Sequence, residues 1–142
     1  MNIGWLGWAF LSAVFAALTA ILAKVGVADV NPNLATAIRT TVILLFTWGL
    51  VFAIDGKADF VGITTRTWIF LVASGLATGL SWICYFRALK LGDVAKVAPV
   101  DKLSVAIAII MAVIFLGEKV KVQEAIGAAL IVLGVVVMVV KL

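Results

Sequence analysis

The chain has 142 residues, 65% of them hydrophobic and 13% charged, with a formal net charge of +4. A soluble domain averages ~45–50% apolar and ~25% charged residues, so a water-soluble bundle is excluded for want of polar surface. With no histidine and one cysteine, Cys84, imidazole chemistry and an internal disulfide are excluded as well.

A helix needs roughly 20 consecutive apolar residues to cross a bilayer. Five such stretches are predicted, at residues 5–23, 35–54, 68–89, 97–116 and 122–140. Short polar joints at 24–32, 55–66, 90–96 and 117–121 separate them. The expected fold class is therefore an all-α integral membrane protein with five transmembrane helices. An odd number of crossings sets the two ends on opposite sides of the membrane. Carriers are commonly built from two such units of opposite topology, with the site between them.

The first stretch is of full length, and no Lys or Arg precedes Trp5, so it is expected to be retained rather than cleaved. It carries a small-residue face at Ala13, Ala16, Ala17 and Ala20. The second holds an intramembrane cation, Arg39, about five residues from its predicted start. The third contains Gly75-Leu-Ala-Thr-Gly79, a pattern that lets two helix backbones approach closely in lipid. Further along the third stretch come Trp82, Tyr85 and Phe86, either as packing residues or as an apolar cavity wall. The fourth opens on Pro99 and then Asp101 and Lys102. A proline past the first turn frees a carbonyl and bends a helix, and broken helices recur at carrier sites. The fifth places Gly127 and Gly134 on one face.

Ionisable groups inside a span cost several kcal/mol unless paired or facing water. Arg39, Asp101 and Lys102 are expected at a similar depth, roughly 6–8 Å below one surface. Lys24 and Arg87 end spans on that same side. Two readings fit: the cations snorkel to the headgroups, or Asp101 pairs with Arg39 or Lys102 beside a polar cavity. On the second reading the candidate site is Arg39, Trp82, Tyr85, Asp101 and Lys102.

The placement of Lys and Arg reports orientation in a membrane protein, not nucleic-acid binding. The side of the N-terminus carries Lys57, Arg66, Lys119 and Lys121, and the other side Lys24, Arg87, Lys90, Lys96 and Lys141. This near balance makes insertion in both orientations plausible. Trp5, Trp8 and Trp68 stand at the first of these sides as an interfacial belt, with Trp48 somewhat deeper.

The runs Phe86-Arg-Ala-Leu-Lys-Leu-Gly-Asp-Val-Ala-Lys-Val-Ala-Pro-Val100, Phe115-Leu-Gly-Glu-Lys119 and Gly127-Ala-Ala-Leu-Ile-Val-Leu-Gly134 resemble an EamA domain of the drug/metabolite transporter superfamily. The resemblance spans essentially residues 1–142 as a single domain. It implies half of a ten-helix transporter, carrying a small metabolite or drug by alternating access. A single copy implies a partner: a homodimer, more readily antiparallel than parallel, or a heterodimer with another short EamA-type chain. Small multidrug-resistance proteins are similar in style but carry an acid in the first helix, and this first span has none.

No metal-ligand cluster, phosphate-binding loop or nucleophile beside a base is evident, so no enzyme activity and no cofactor are expected. The expected partners are the lipid bilayer, a small-molecule substrate and a second chain, with no nucleic acid. The expected location is the cell (plasma or inner) membrane. A flippase or accessory subunit for a lipid-linked molecule is the alternative function.

Overall fold

The structure, a computed structural model, describes residues 4–56, 60 and 62–140, which form helices with no strand among them. Lys57 and Lys141, two of the charges counted for orientation, lie outside the described residues. Among the described residues, five helical spans are long and apolar enough to cross a membrane: Trp5–Val27, Pro32–Ile54, Thr65–Leu91, Val94–Leu116 and Val122–Val139. The chain divides into two compact units, Met1–Leu91 and Gly92–Leu142.

The first unit holds α1 (Trp5–Val27), α2 (Pro32–Leu50) and α3 (Thr65–Leu91). The second span starts three residues earlier than the sequence reading placed it. The Asn31 side chain caps it by accepting the Asn33 N–H at 2.9 Å, and Pro32 occupies the first turn, where its missing N–H has no partner to lose. Within α2, the hydroxyls of Thr36, Thr40 and Thr41 donate to the carbonyls of Pro32, Thr36 and Ala37 at 2.8, 2.8 and 3.1 Å. Each hydroxyl is thereby satisfied without water, which lets threonine sit in an apolar span.

α3 packs on both α1 and α2. The core of this unit is small: Ala20, Ala23 and Val27 of α1, Thr36 of α2, and Phe86 and Leu89 of α3. All six lie toward the end of the helices that Lys24 and Lys90 mark. Three polar links lace that end. Lys24 Nζ donates to the Leu89 carbonyl at 2.7 Å, Lys90 Nζ to the Val30 carbonyl at 2.8 Å, and Arg87 Nη2 to Asn33 Oδ1 at 3.4 Å. The Leu89 carbonyl lies in the last turn of α3, where a cation is favoured, and the Val30 carbonyl belongs to the joint between α1 and α2. At the other end, Trp48, Phe52, Phe60 and Trp68 form a chain of rings with centroids 6.0–6.3 Å apart. Trp5 and Trp8 stay exposed, as an interfacial belt requires.

The second unit holds α4 (Val94–Asp101), α5 (Leu103–Met111) and α6 (Val122–Val139). α4 and α5 are one span interrupted at Lys102. Pro99 lies inside α4, since the helix begins at Val94 and not at Val97. Its ring nitrogen leaves the Ala95 carbonyl without its helical donor. The backbone then tightens: Lys102 N–H bonds the Pro99 carbonyl at 3.0 Å, and Val105 N–H bonds the Lys102 carbonyl at 3.0 Å. α6 packs on both α4 and α5. It starts with Glu124 Oε2 accepting the Lys121 N–H at 2.9 Å, an acid placed where the helix dipole favours it.

The second and fourth spans end alike. Each widens into one π-helical turn, Val51–Asp55 and Ala112–Leu116, and stops at a left-handed glycine, Gly56 (φ 73°) and Gly117 (φ 67°). Any side chain at that φ is strained, so glycine is the fitting terminator.

Of the small residues singled out in the sequence, Ala20 is buried, whereas Ala13, Ala16 and Ala17 are exposed. A Cβ added to Gly75, Gly79, Gly127 or Gly134 meets no atom within 4 Å. The glycine faces of α3 and α6 are therefore open among the described residues.

Candidate functional site

Arg39 is the eighth residue of α2, about 10 Å along the helix from its start. It stands further from the helix start than the sequence reading gave, because the helix begins at Pro32. The side chain is half-buried, and its guanidinium lies over the aromatic rings of α3. Cζ stands 4.3 Å from the Trp82 ring centroid and 5.5 Å from that of Phe86. Trp82 and Phe86 are four residues apart, so they share one face of α3 and make a two-ring platform. Each such cation–π contact is worth roughly 0.5–2 kcal/mol, more as water is excluded. Tyr85, half-buried on the same helix, is within electrostatic range of the guanidinium.

Beside this platform is a cleft of about 360 Å³ formed by the first unit alone. α1 lines it with Thr19, Leu22, Ala23 and Gly26, α2 with Ala35, Ile38 and Arg39, α3 with Phe86, and the α1–α2 joint with Val30. Its wall is almost wholly carbon. The cleft and the ring platform meet at Arg39 and Phe86.

Asp101 and Lys102 belong to the second unit, where they pair with each other. Lys102 Nζ lies 3.2 Å from Asp101 Oδ2, with the two side chains 55% and 37% exposed. In a straight helix adjacent side chains diverge by about 100°. The break at Lys102, where ψ is −9°, lets the neighbours meet. Of the two partners expected for Asp101, the structure shows Lys102.

The first unit thus brings Arg39, Trp82 and Tyr85 together, and the second joins Asp101 to Lys102. Lys24 and Arg87, read in the sequence as ending spans on the same side as Arg39, make the helix-end links. The α1 residues Thr19, Leu22, Ala23 and Gly26 were not foreseen, and Phe86, read as a packing or cavity-wall residue, was left out of the candidate site. The four-residue spacing from Trp82 was a signal for Phe86. The α1 residues carry no charge to mark them. The second unit has its own apolar groove of about 430 Å³ along α5 and α6, lined by residues such as Ala106, Ile110, Ala128 and Val132. No group of three potential metal-ligating His, Cys, Asp or Glu residues occurs among the described residues.

The chain matches the EamA-like transporter family over residues 3–140. It belongs to that family. This EamA-like protein is 54% identical over 134 residues to a Sinorhizobium protein named "Uncharacterized transporter in cobO 3'region", covering 94% of the chain and 95% of that relative. It is 26% identical over 130 residues to "Uncharacterized transporter YxxF" of Bacillus subtilis, where the match covers 89% of the chain. It is 27% identical over 89 residues to an "Uncharacterized transporter" of Clostridium kluyveri, covering 62% of the chain. The matches span only 40% and 29% of these last two proteins, respectively. No solved structure gives a significant match. The EamA-like chain is a multi-pass membrane protein of a transporter family, corresponding to one half of a ten-helix drug/metabolite transporter.

Proposed function

We propose that this EamA-like protein is a small-solute carrier of the cell (plasma or inner) membrane that works by alternating access, with its second half supplied by another chain. The observation that carries the reading is Arg39, held half-buried on Trp82 and Phe86 at the wall of an apolar cleft inside a membrane span. A cation at that depth is a functional group by default. In this reading the cleft with Trp82 and Tyr85 forms one solute-contacting element. Asp101 and Lys102, at the break in the fourth span, form a second.

The partner reading draws support from the sparse packing. No span has more than 11% of its most apolar window buried. The open glycine faces of α3 and α6 are the kind of surface helices use to pack in lipid. The Sinorhizobium relative, matched over 95% of its own length, is itself about the size of one such unit. The near balance of Lys and Arg favours an antiparallel homodimer over a parallel one, with a heterodimer of two short EamA-type chains as the other arrangement.

The test is uptake by proteoliposomes loaded from pools of labelled metabolites. Wild-type protein is expected to accumulate at least one solute. Arg39→Gln, Asp101→Asn and Lys102→Ala are expected to lose that uptake while remaining inserted and monodisperse. Uptake unchanged in all three variants sinks the assignment of the site.

A further inference from the structure

We propose that the cleft of the first unit takes a small amphipathic oxyanion, a molecule with a single carboxylate or similar group on an apolar body. The proposal rests on the carrier reading above and names the substrate class of the same cleft.

The cleft has a short polar inventory. Among its lining side chains, only the Thr19 hydroxyl and the Arg39 guanidinium are polar, and none is acidic. Arg39 is engaged through its flat face, by the rings of Trp82 and Phe86. Its N–H groups lie in the guanidinium plane and point outward from its edge, so stacking leaves them unused. No hydrogen bond or ion pair from Arg39 to another described residue accompanies the stacking. Aromatic faces attract a cation without neutralising it. A full charge in apolar surroundings remains expensive until an anion meets it.

A stacked guanidinium with a free edge is a fork fixed in direction. That fork matches the two oxygens of a carboxylate or a phosphate, which it binds in bidentate fashion. The carbon walls from Leu22, Ile38 and Phe86 accept the rest of the molecule. A volume of about 360 Å³ lies at the small end of ligand sites, which span roughly 300–1,000 Å³. A cationic solute is repelled by Arg39, and a neutral one leaves the guanidinium edge unmet. The same oxyanion chemistry is presented by a free organic acid and by an anionic lipid headgroup.

The experiment uses the full chain in phosphatidylcholine nanodiscs and calorimetric titration. The probes are phenylacetate, 3-phenylpropionate and octanoate, each beside its neutral primary amide. At least one acid is expected to bind ~10-fold or more tightly than its amide, the equivalent of ~1.4 kcal/mol. Arg39→Gln is expected to bring acid and amide to equal affinity. Arg39→Lys, which keeps the charge and loses the fork, is expected to give a reduced preference, and it carries the test if Arg39→Gln does not fold. A parallel set in nanodiscs containing phosphatidylglycerol separates the two sources. Arg39-dependent stabilisation by phosphatidylglycerol, with no response to the free acids, assigns the oxyanion to a lipid headgroup. Equal binding of acid and amide, no Arg39-dependent binding of acid or lipid, or an acid preference unchanged in the Arg39 variants overturns the proposal. Arg39-dependent transport of only neutral or cationic solutes overturns it too and leaves the carrier reading intact. Acid binding without transport of any solute does the reverse.

Discussion

Lys24 shows how a charge in a membrane helix takes a structural role. It lies in the last turn of α1 and donates to the Leu89 carbonyl of α3 at 2.7 Å, while Leu89 itself is fully buried. The sequence made Lys24 legible as a cation near a surface, but not as a cross-helix cap, because spacing along the chain says nothing of which foreign carbonyl comes within reach. Removing the ammonium leaves that carbonyl short of a partner. Lys24→Met is expected to destabilise the protein by ~1–3 kcal/mol in thermal unfolding in detergent, the penalty for an orphaned buried polar group. Leu89→Ala empties part of a small core and is expected to lower stability by ~2–5 kcal/mol. Leu91→Ala, at a side chain that is 90% exposed, is the control and is expected to leave the melting temperature unchanged. Equal effects of Leu89→Ala and Leu91→Ala would contradict the packing described for α3.

At the scale of elements, the break in the fourth span is the decisive feature. Proline in a helix interior costs about 3 kcal/mol, and here the loss is localised at Lys102 as a tightened turn. That turn is what joins Asp101 to Lys102. Pro99→Ala restores the donor to the Ala95 carbonyl. It is expected to raise thermal stability while separating the pair and reducing transport. A gain in stability with transport unaffected would show that the break has no part in function. Gly117, at φ 67°, ends the same span. Gly117→Ala is expected to cost ~1–2 kcal/mol from the left-handed backbone alone. Gly127→Ala meets open space and is expected to leave the stability of the isolated chain unchanged in the same thermal assay. The proline and the charged pair were both legible in the sequence. The exact position of the break was not, because the helix begins three residues before the apolar run does.

For the whole molecule, the unresolved balance of surfaces points to assembly. Long hydrophobic side chains such as Leu76, Leu80, Leu130 and Leu133 are well exposed on the same helices as the open glycines. Lipid covers such faces adequately, but close backbone approach is what glycine adds. The expectation of an antiparallel pair is tested by labelling. Cys84 is replaced by serine, a new cysteine is placed at the C-terminus, and sealed cells are treated with an impermeant reagent from each side. Labelling from both sides in one population is the expected outcome. Labelling from one side alone gives a fixed orientation, and with it a parallel dimer or an oppositely oriented partner chain. Gly75→Leu is expected to weaken the dimer by cross-linking without unfolding the chain, provided that the α3 glycine face forms the contact.

By itself the sequence determined the five spans, because length and apolarity decide what crosses a bilayer and neither depends on neighbours. It also marked Arg39, Asp101 and Lys102, since ionisable groups are rare at that depth. Only the tertiary structure decided their partners. Arg39 rests on Trp82 and Phe86 because the rotation of α2 against α3 turns those faces together. Lys24, Lys90 and Arg87 lace the helix ends because the carbonyls and the amide they reach come from other helices and joints. Helical rotation and crossing set those contacts, and a linear string of residues encodes them only through the packing of the whole unit.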